Sequence, residues 1–298
     1  MLLQSAPPDF PPFDPTPTPP PDAHAAPSLD WSVVLPYFNE QNFILDCLRS
    51  LVAQTLRPLR LILVNNASTD GSEALARGFL ALHPDVDAQF VYETRPGKLW
   101  ALKSGAGRVT SPFVATCDAD THYPPDYLAK ADRHFASAGA SAVAVFAVGL
   151  AVAPDSLAGH WRRIKPVIVS RLFRSSCHTG GFGQCFRASA LNAAGGFDPA
   201  IWPFVLEDHE VVNRLRRHGS VEYAPDFWCA PSDRRSDRSR VDWTLAERLA
   251  YNFVPAAAKD WFFYRFLARR FRARGLSQIR LREKQWEQPE IDYARTVG

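Results

Sequence analysis

Between Trp31 and Cys117, short apolar runs alternate with segments of helical spacing, and this alternation constrains the fold more than any other feature of the chain. The runs WSVVLPY (31–37), LRLILVNN (59–66), AQFVYET (88–94) and PFVATC (112–117) read as strands. Between them lie EQNFILDCLRSLVAQ, SEALARGFLAL and GKLWALKSGAGRV, which read as helices. In the first of these, Phe43, Leu45, Leu48 and Leu51/Val52 are expected on one side. Strand and helix in strict alternation predict an α/β fold, with a mostly parallel sheet, right-handed crossovers and flanking helices. Ligands of such sheets collect beyond the carboxyl ends of the strands.

The polar clusters fall at those ends. PYFNE follows the first strand, NNASTD the second, ETRPGK the third and DAD the fourth. The last cluster sets Asp118 and Asp120 one residue apart at the end of an apolar run, where two carboxylates repel each other and resist burial. A cation would offset that cost. Paired carboxylates are hard oxygen donors that suit Mg²⁺ or Mn²⁺ together with substrate phosphates. Gly97 and Lys98 open the third helix, where a helix N-terminus and an ammonium favour phosphate. Further on, FVLEDHEVVNRLRRHG predicts an amphipathic helix with Val211, Val212 and Leu215 buried. Glu207 and Asp208 stand in its first turn, either as dipole partners or, for Asp208, as a general base.

The rest of the chain is less regular. Residues 1–29 are dense in proline and are expected to be a disordered tail. SAVAVFAVGLAV reads as a strand and SLAGHWRRIKPVIVSRLF as a helix with a kink at Pro166. A helical, basic and aromatic extension is expected over 241–298. Nine Lys/Arg against two Asp/Glu fall between 259 and 284, whereas the whole chain carries only +3, so the body is mildly acidic. That balance argues against nucleic acid as a partner. Trp261, Phe262, Phe263 and Phe266 are too many aromatics for a solvated helix. They fit either an interfacial helix on anionic lipid or a helix packed on the body. Five cysteines without a C-x-x-C pair fit free thiols, and no zinc spacing occurs. No signal-peptide pattern and no membrane-length apolar run are seen, so a cytoplasmic location, with peripheral membrane contact through the C-terminal segment, is the expectation.

Taken in order, VVLPYFNE, ILVNNASTDGS, GKLWALKSG, TCDADTHYPPDYL and GGFDPAIWPFVLEDHEVVNRLRRHG resemble a family 2 glycosyltransferase with the GT-A, Rossmann-like fold, over roughly residues 31–240. The resemblance implies a domain at 30–240 that moves one sugar, with inversion, from a nucleotide-diphosphate sugar to a hydroxyl acceptor, a lipid or cell-envelope glycan precursor. Pro36, Tyr37, Asn39 and Glu40 match the loop that touches the nucleotide. Asn65 stands where the family commonly has a base-contacting aspartate, a departure that leaves the base open. Asp118 and Asp120 match the D-x-D motif that holds a metal–diphosphate. Asp208 matches the base that deprotonates the acceptor, and Glu207 a positioning acid. Arg234 and Arg235 stand where guanidinium groups would close over the diphosphate. HTGGFGQCFRAS is expected on the acceptor side, with His178 structural. The Q-x-x-R-W signature of processive synthases is missing from the sequence, which favours single-sugar transfer. A nucleotidyltransferase fits less well, because PYFNEQN lacks a glycine-rich, arginine-bearing loop. A non-catalytic relative would be expected to lose the acids that this chain keeps.

Overall fold

The computed structural model describes residues 30–57, 59–150, 156–232 and 243–277. The proline-rich stretch, Arg234, Arg235 and the chain beyond 277 lie outside the described residues. The elements run β1 (Trp31–Tyr37), α1 (Ile44–Val52), β2 (Leu59–Asn65), α2 (Ser72–Ala81), β3 (Asp87–Tyr92), α3 (Lys98–Ala106), β4 (Phe113–Cys117), β5 (Thr121–His122) and α4 (Tyr127–Ala138). They continue with β6 (Ala142–Gly149), α5 (Leu157–Leu172), β7 (Gly183–Arg187), α6 (Ala188–Ala193), α7 (Glu207–Leu215), β8 (Ser220–Pro231) and α8 (Leu245–Phe253). A last helical run comprises α9 (Lys259–Trp261), a π-helical stretch (Phe262–Leu267) and α10 (Ala268–Arg274).

The strands form one sheet in the order β3-β2-β1-β4-β7-β6-β8-β5. All seven residues of β1 are buried, as expected for a central parallel strand covered on both faces. β1 pairs in parallel with β2 (Trp31↔Leu59) and with β4 (Trp31↔Phe113). The chain moves outward from β1 to β3, then returns to place β4 on the other side of β1. This reversal is a topological switch point, where α/β sheets open a crevice. Pairing of β1 with β4 ends at Val34↔Thr116, so Pro36 and Tyr37 stand beyond it.

The second half makes the sheet mixed. β7 inserts antiparallel between β4 and β6, β8 runs parallel to β6, and β5 pairs antiparallel with β8. The glycines of HTGGFGQCFR hide the period-2 pattern of β7 (Gly183–Arg187), so the sequence reading has no strand there. Helix α1 buries Ile44, Cys47, Leu48 and Leu51 rather than the Phe43/Leu45 side, because the helix starts later than its apolar run and the stripe falls at i, i+3, i+4, i+7. Helix α5 continues through Pro166.

Side chains pack into three cores. One lies under α1, α2 and α4, and the second under α3, α6 and α7. The third is built by the C-terminal run on Trp202, Phe204 and Val205. Phe262, Phe263 and Phe271 have no exposure, so these aromatics serve as core. Phe204 and Ser277 form an isolated antiparallel bridge, and Val205 N–H donates to Leu276 O at 3.2 Å. The C-terminal run thereby braces the loop that leads into α7.

Candidate active site

The loops after β1 and β2 are tied together. Asn39 Oδ1 accepts from Thr69 N–H at 2.8 Å, Asn39 N–H donates to Ser68 Oγ at 3.1 Å, and Glu40 N–H donates to Ser72 Oγ at 2.7 Å. Asn65 Oδ1 accepts from Ser68 N–H at 2.8 Å, and its amide donates to Glu73. Both ends of that side chain thus serve the loop. Asn66 does the same for the next loop, donating to Glu93 O and Arg95 O and accepting from Gly97 N–H at 2.9 Å. Among the described residues, the non-glycine positions with positive φ are Asn39 (53°), Ala67 (57°) and Leu206 (63°). The first two lie in these loops, and Leu206 directly precedes Glu207. Backbone strain of this kind collects where loops hold a functional geometry.

The cation that Asp118 and Asp120 call for is Lys98. Its Nζ donates to Asp118 Oδ1 at 2.5 Å. Gly97, at φ 122° in a region open mainly to glycine, turns the chain into α3 and sets Lys98 in the first helical position. Both aspartates are buried. Asp120 accepts from Ser232 Oγ at 3.0 Å through Oδ2 and from Thr121 Oγ1 at 3.4 Å through Oδ1. The turn is fixed from below by Tyr123, whose hydroxyl accepts from Asp118 N–H at 2.8 Å and donates to Phe182 O at 2.6 Å.

Helix α7 brings its two acids to the same cluster. Burial pushes the Glu207 carboxyl up; Lys98 opposes this, Asp208 and Asp118 add to it, and the net direction is up. Burial also works to raise Asp208, but His209 and then Lys98 outweigh it and hold the carboxyl below the usual range. Asp208 Oδ1 accepts from His209 Nδ1–H at 2.8 Å and from His209 N–H at 2.9 Å. The imidazole is held edge-on by Trp243 and Tyr251, at ring distances of 5.0 and 5.6 Å. Of two neighbouring acids, Asp208 is therefore the one whose charged form the surroundings favour. The glycine-rich loop passes directly over it: a Cβ on Gly181 would come to 3.2 Å from the Asp208 Cβ.

The structure thus gathers Lys98, Asp118, Glu207 and Asp208 into one electrostatic cluster and sets Asn39 and Glu40 in the loop beyond β1. Pro36 and Tyr37 are the last two residues of β1 itself. His178 is half-buried, with its ring on Phe173 O at 3.0 Å; burial pushes it down to about 4, as suits a neutral structural histidine. His209 and Ser232 were not singled out from the sequence. The one signal for His209 is an imidazole directly after the acid, and for Ser232 its place at the head of SDRRSDR.

Asp118 and Asp120 also fit a divalent cation. They supply two hard oxygen donors, and Mg²⁺ or Mn²⁺ takes one or two carboxylates and completes its shell with water and phosphate. Among the described residues no group of three or more His, Cys, Asp or Glu side chains forms a closed metal cage.

Known proteins resemble this chain in sequence and in fold. The model of the family described as Glycosyl transferase family 2 matches residues 32–193, more than half of the chain. An uncharacterized glycosyltransferase of Escherichia coli, YibD, is 32% identical over 97 residues, 32% of this chain and 28% of that protein. Glycosyltransferase GlyA of Streptococcus pneumoniae is 26% identical over 97 residues, 33% of this chain and 14% of that protein. The matched region therefore spans less than a third of either relative. The fold is similar to that of mannosyltransferase PcManGT from Pyrobaculum calidifontis, in a structure with GDP-Man and Mn²⁺ (TM-score 0.60, 23% identity, 79% of this chain, 70% of that one). It is also similar to that of S. aureus TarS with UDP-GlcNAc (TM-score 0.55, 16% identity, 88% and 78%). The chain has the GT-A fold and belongs to glycosyl transferase family 2.

Proposed function

We propose that this chain is an inverting, metal-dependent glycosyltransferase that moves one sugar from a nucleotide-diphosphate donor to a hydroxyl of a lipid or cell-envelope glycan precursor. The observation that carries the reading is the acid–lysine cluster beyond β4, in which Lys98 bonds Asp118 and the Asp208 carboxyl is held down beside a neighbour whose carboxyl is pushed up. Opposed shifts in adjacent acids mark a division of labour. GDP-Man and UDP-GlcNAc, named with the structural neighbours, support the donor class. Residues 30–240 form the transferase domain in this reading and 241–298 its extension.

Asp118 and Asp120 would hold Mg²⁺ or Mn²⁺, which when bound supplies charge stabilisation to the diphosphate. Lys98 adds a second positive charge at the helix N-terminus, and Arg234 and Arg235 add guanidinium groups from the run after Ser232. Pro36, Tyr37, Asn39 and Glu40 receive the nucleotide, and Asn65 shapes that loop. Asp208 takes the proton of the acceptor hydroxyl while that oxygen forms its bond to the anomeric carbon. The bond from that carbon to the diphosphate breaks on the opposite face, and its electron pair leaves with the diphosphate oxygen. Glu207 positions substrate, and His209 holds the Asp208 carboxylate in line.

The test is Asp208→Asn, which keeps the shape and removes the base. Donor binding should persist, while release of nucleoside diphosphate in the presence of acceptor should fall by about 10²–10⁴-fold. Wild-type turnover in this variant would remove Asp208 from the mechanism.

A further inference from the structure

Helix α5 carries an apolar stripe that stays exposed among the described residues. Leu157, Trp161, Ile164, Ile168 and Leu172 are 93, 60, 38, 44 and 72% exposed. At 3.6 residues per turn they fall within about 80° of arc. The buried side of the helix is Gly159 and Val167. Helix α8 repeats the pattern, with Leu245, Leu249 and Phe253 exposed at 73, 49 and 71%. The two helices meet where α5 ends, since Phe173, just past the stripe, packs edge-on against Phe253 of the α8 stripe at 5.4 Å between ring centres.

Charge selects the occupant. From Leu157 to Arg174 the sequence holds Arg162, Arg163, Lys165, Arg171 and Arg174, with no Asp or Glu. The acid of α8, Glu247, is fully buried and taken by Arg270 and Arg274. Arg174 also lines a recess of about 500 Å³ with Arg216, Arg217 and Lys259, in which Asp260 is bonded to Arg217. An aliphatic and aromatic stripe bordered by cations and free of acids matches an anionic bilayer surface. The apolar face sits at the acyl boundary, Trp161 at the interface, and the long cationic side chains reach the headgroups. A second copy of the chain would set the same cations against one another.

We propose that α5 and α8 together form a docking face for an anionic membrane. It lies apart from Phe262, Phe263 and Phe271 of the C-terminal run, which are core. Beyond α5 the chain runs into the Cys177–Gly181 loop that passes over Asp208. Taken with the transferase reading, docking sets the base near the bilayer surface, where a lipid-borne acceptor would arrive. The docking face itself stands without that reading.

The experiment is co-sedimentation of the full chain with vesicles of phosphatidylcholine alone and of phosphatidylcholine mixed with phosphatidylglycerol, at low and high salt, without any sugar nucleotide. Two double variants are compared, Trp161→Ser/Leu172→Ser and Lys165→Gln/Arg171→Gln, the second removing the cations that border the stripe. All four positions are exposed, and thermal melting checks that both variants fold. The wild type should bind the mixed vesicles and release at high salt. The apolar variant should lose about tenfold or more in vesicle partition, and the charge variant should lose its preference for phosphatidylglycerol. Absence of binding to the mixed vesicles at low salt overturns the proposal. So does binding unchanged in both variants. Self-association in sedimentation velocity that the apolar variant abolishes, with no vesicle binding, assigns the face to a second copy instead. Donor binding, measured separately, reports on the transferase reading alone.

Discussion

At Asp208 the chain sets burial against a neighbour. Burial favours the neutral acid, and the His209 imidazole with Lys98 reverses the outcome. A carboxylate that must accept a proton loses its function as pH falls through its pKa. His209→Gln removes the ring and leaves only Lys98 and the backbone N–H against burial. The acid limb of kcat/KM should then move to higher pH, whereas a merely structural histidine would lower activity without moving the limb. Glu93 offers a separate check on stability. Arg95 pulls its carboxyl down, burial opposes, Ser104 and the Arg95 backbone assist, and the result is about 2. A carboxyl depressed in the fold stabilises above its unfolded pKa of about 4.3 and loses that contribution as pH falls toward the folded value. Glu93→Gln should therefore flatten the drop in Tm between those limits. A drop as steep as that of the wild type would contradict this assignment.

At the scale of elements, α3 shows how closely the site's scaffold is packed. A Cβ on Gly105 would come to 2.4 Å from Val34 Cγ1 and 2.9 Å from Val64 Cγ2. Alanine gains up to about 1 kcal/mol of helix propensity over glycine, but overpacking costs about 1–3 kcal/mol, so the clash wins. Gly105→Ala should lower Tm and, by lifting α3 from the sheet, weaken donor binding through Lys98. A Tm at or above that of the wild type would contradict the packing. The four strand–helix units and their polar ends were legible in sequence because each apolar run is short, buried and closed by a turn. Helix α7 was legible for the same kind of reason, with Val211, Val212 and Leu215 buried as expected. β7 and β8 were not, because glycines and scattered polar residues blur their alternation and their partners lie far away in sequence. That Lys98, Asp118 and Asp208 would come together was legible, because each is a charge at a strand or helix end. The turn of the Asn65 amide back onto Ser68 and Glu73 was not, nor the place of His209, which depends on Trp243 and Tyr251 folding over it.

For the whole molecule, the C-terminal run is the brace of the loop that leads into α7. Phe263 is fully buried and packs on Trp202 at 5.5 Å between ring centres. Phe263→Ala should cost about 3–5 kcal/mol, and in the folded fraction kcat should fall, because Phe204 and Val205 lose their backing just before Glu207. Mixed aromatics and arginines gave no single reading in sequence. The fold resolves them by burying Phe262, Phe263 and Phe271, with Phe266 half-buried and Trp261 exposed, and by leaving most of the guanidinium groups to the outer side. The most direct measurement is a thermal-shift titration of wild type and Asp120→Ala with UDP- and GDP-sugars, with and without Mn²⁺. A ligand bound only by the native state raises Tm by mass action. The account predicts a Mn²⁺-dependent rise with one nucleotide class that is lost in Asp120→Ala. A rise that is the same in Asp120→Ala, or none with any nucleotide sugar in the presence of Mn²⁺, would contradict it.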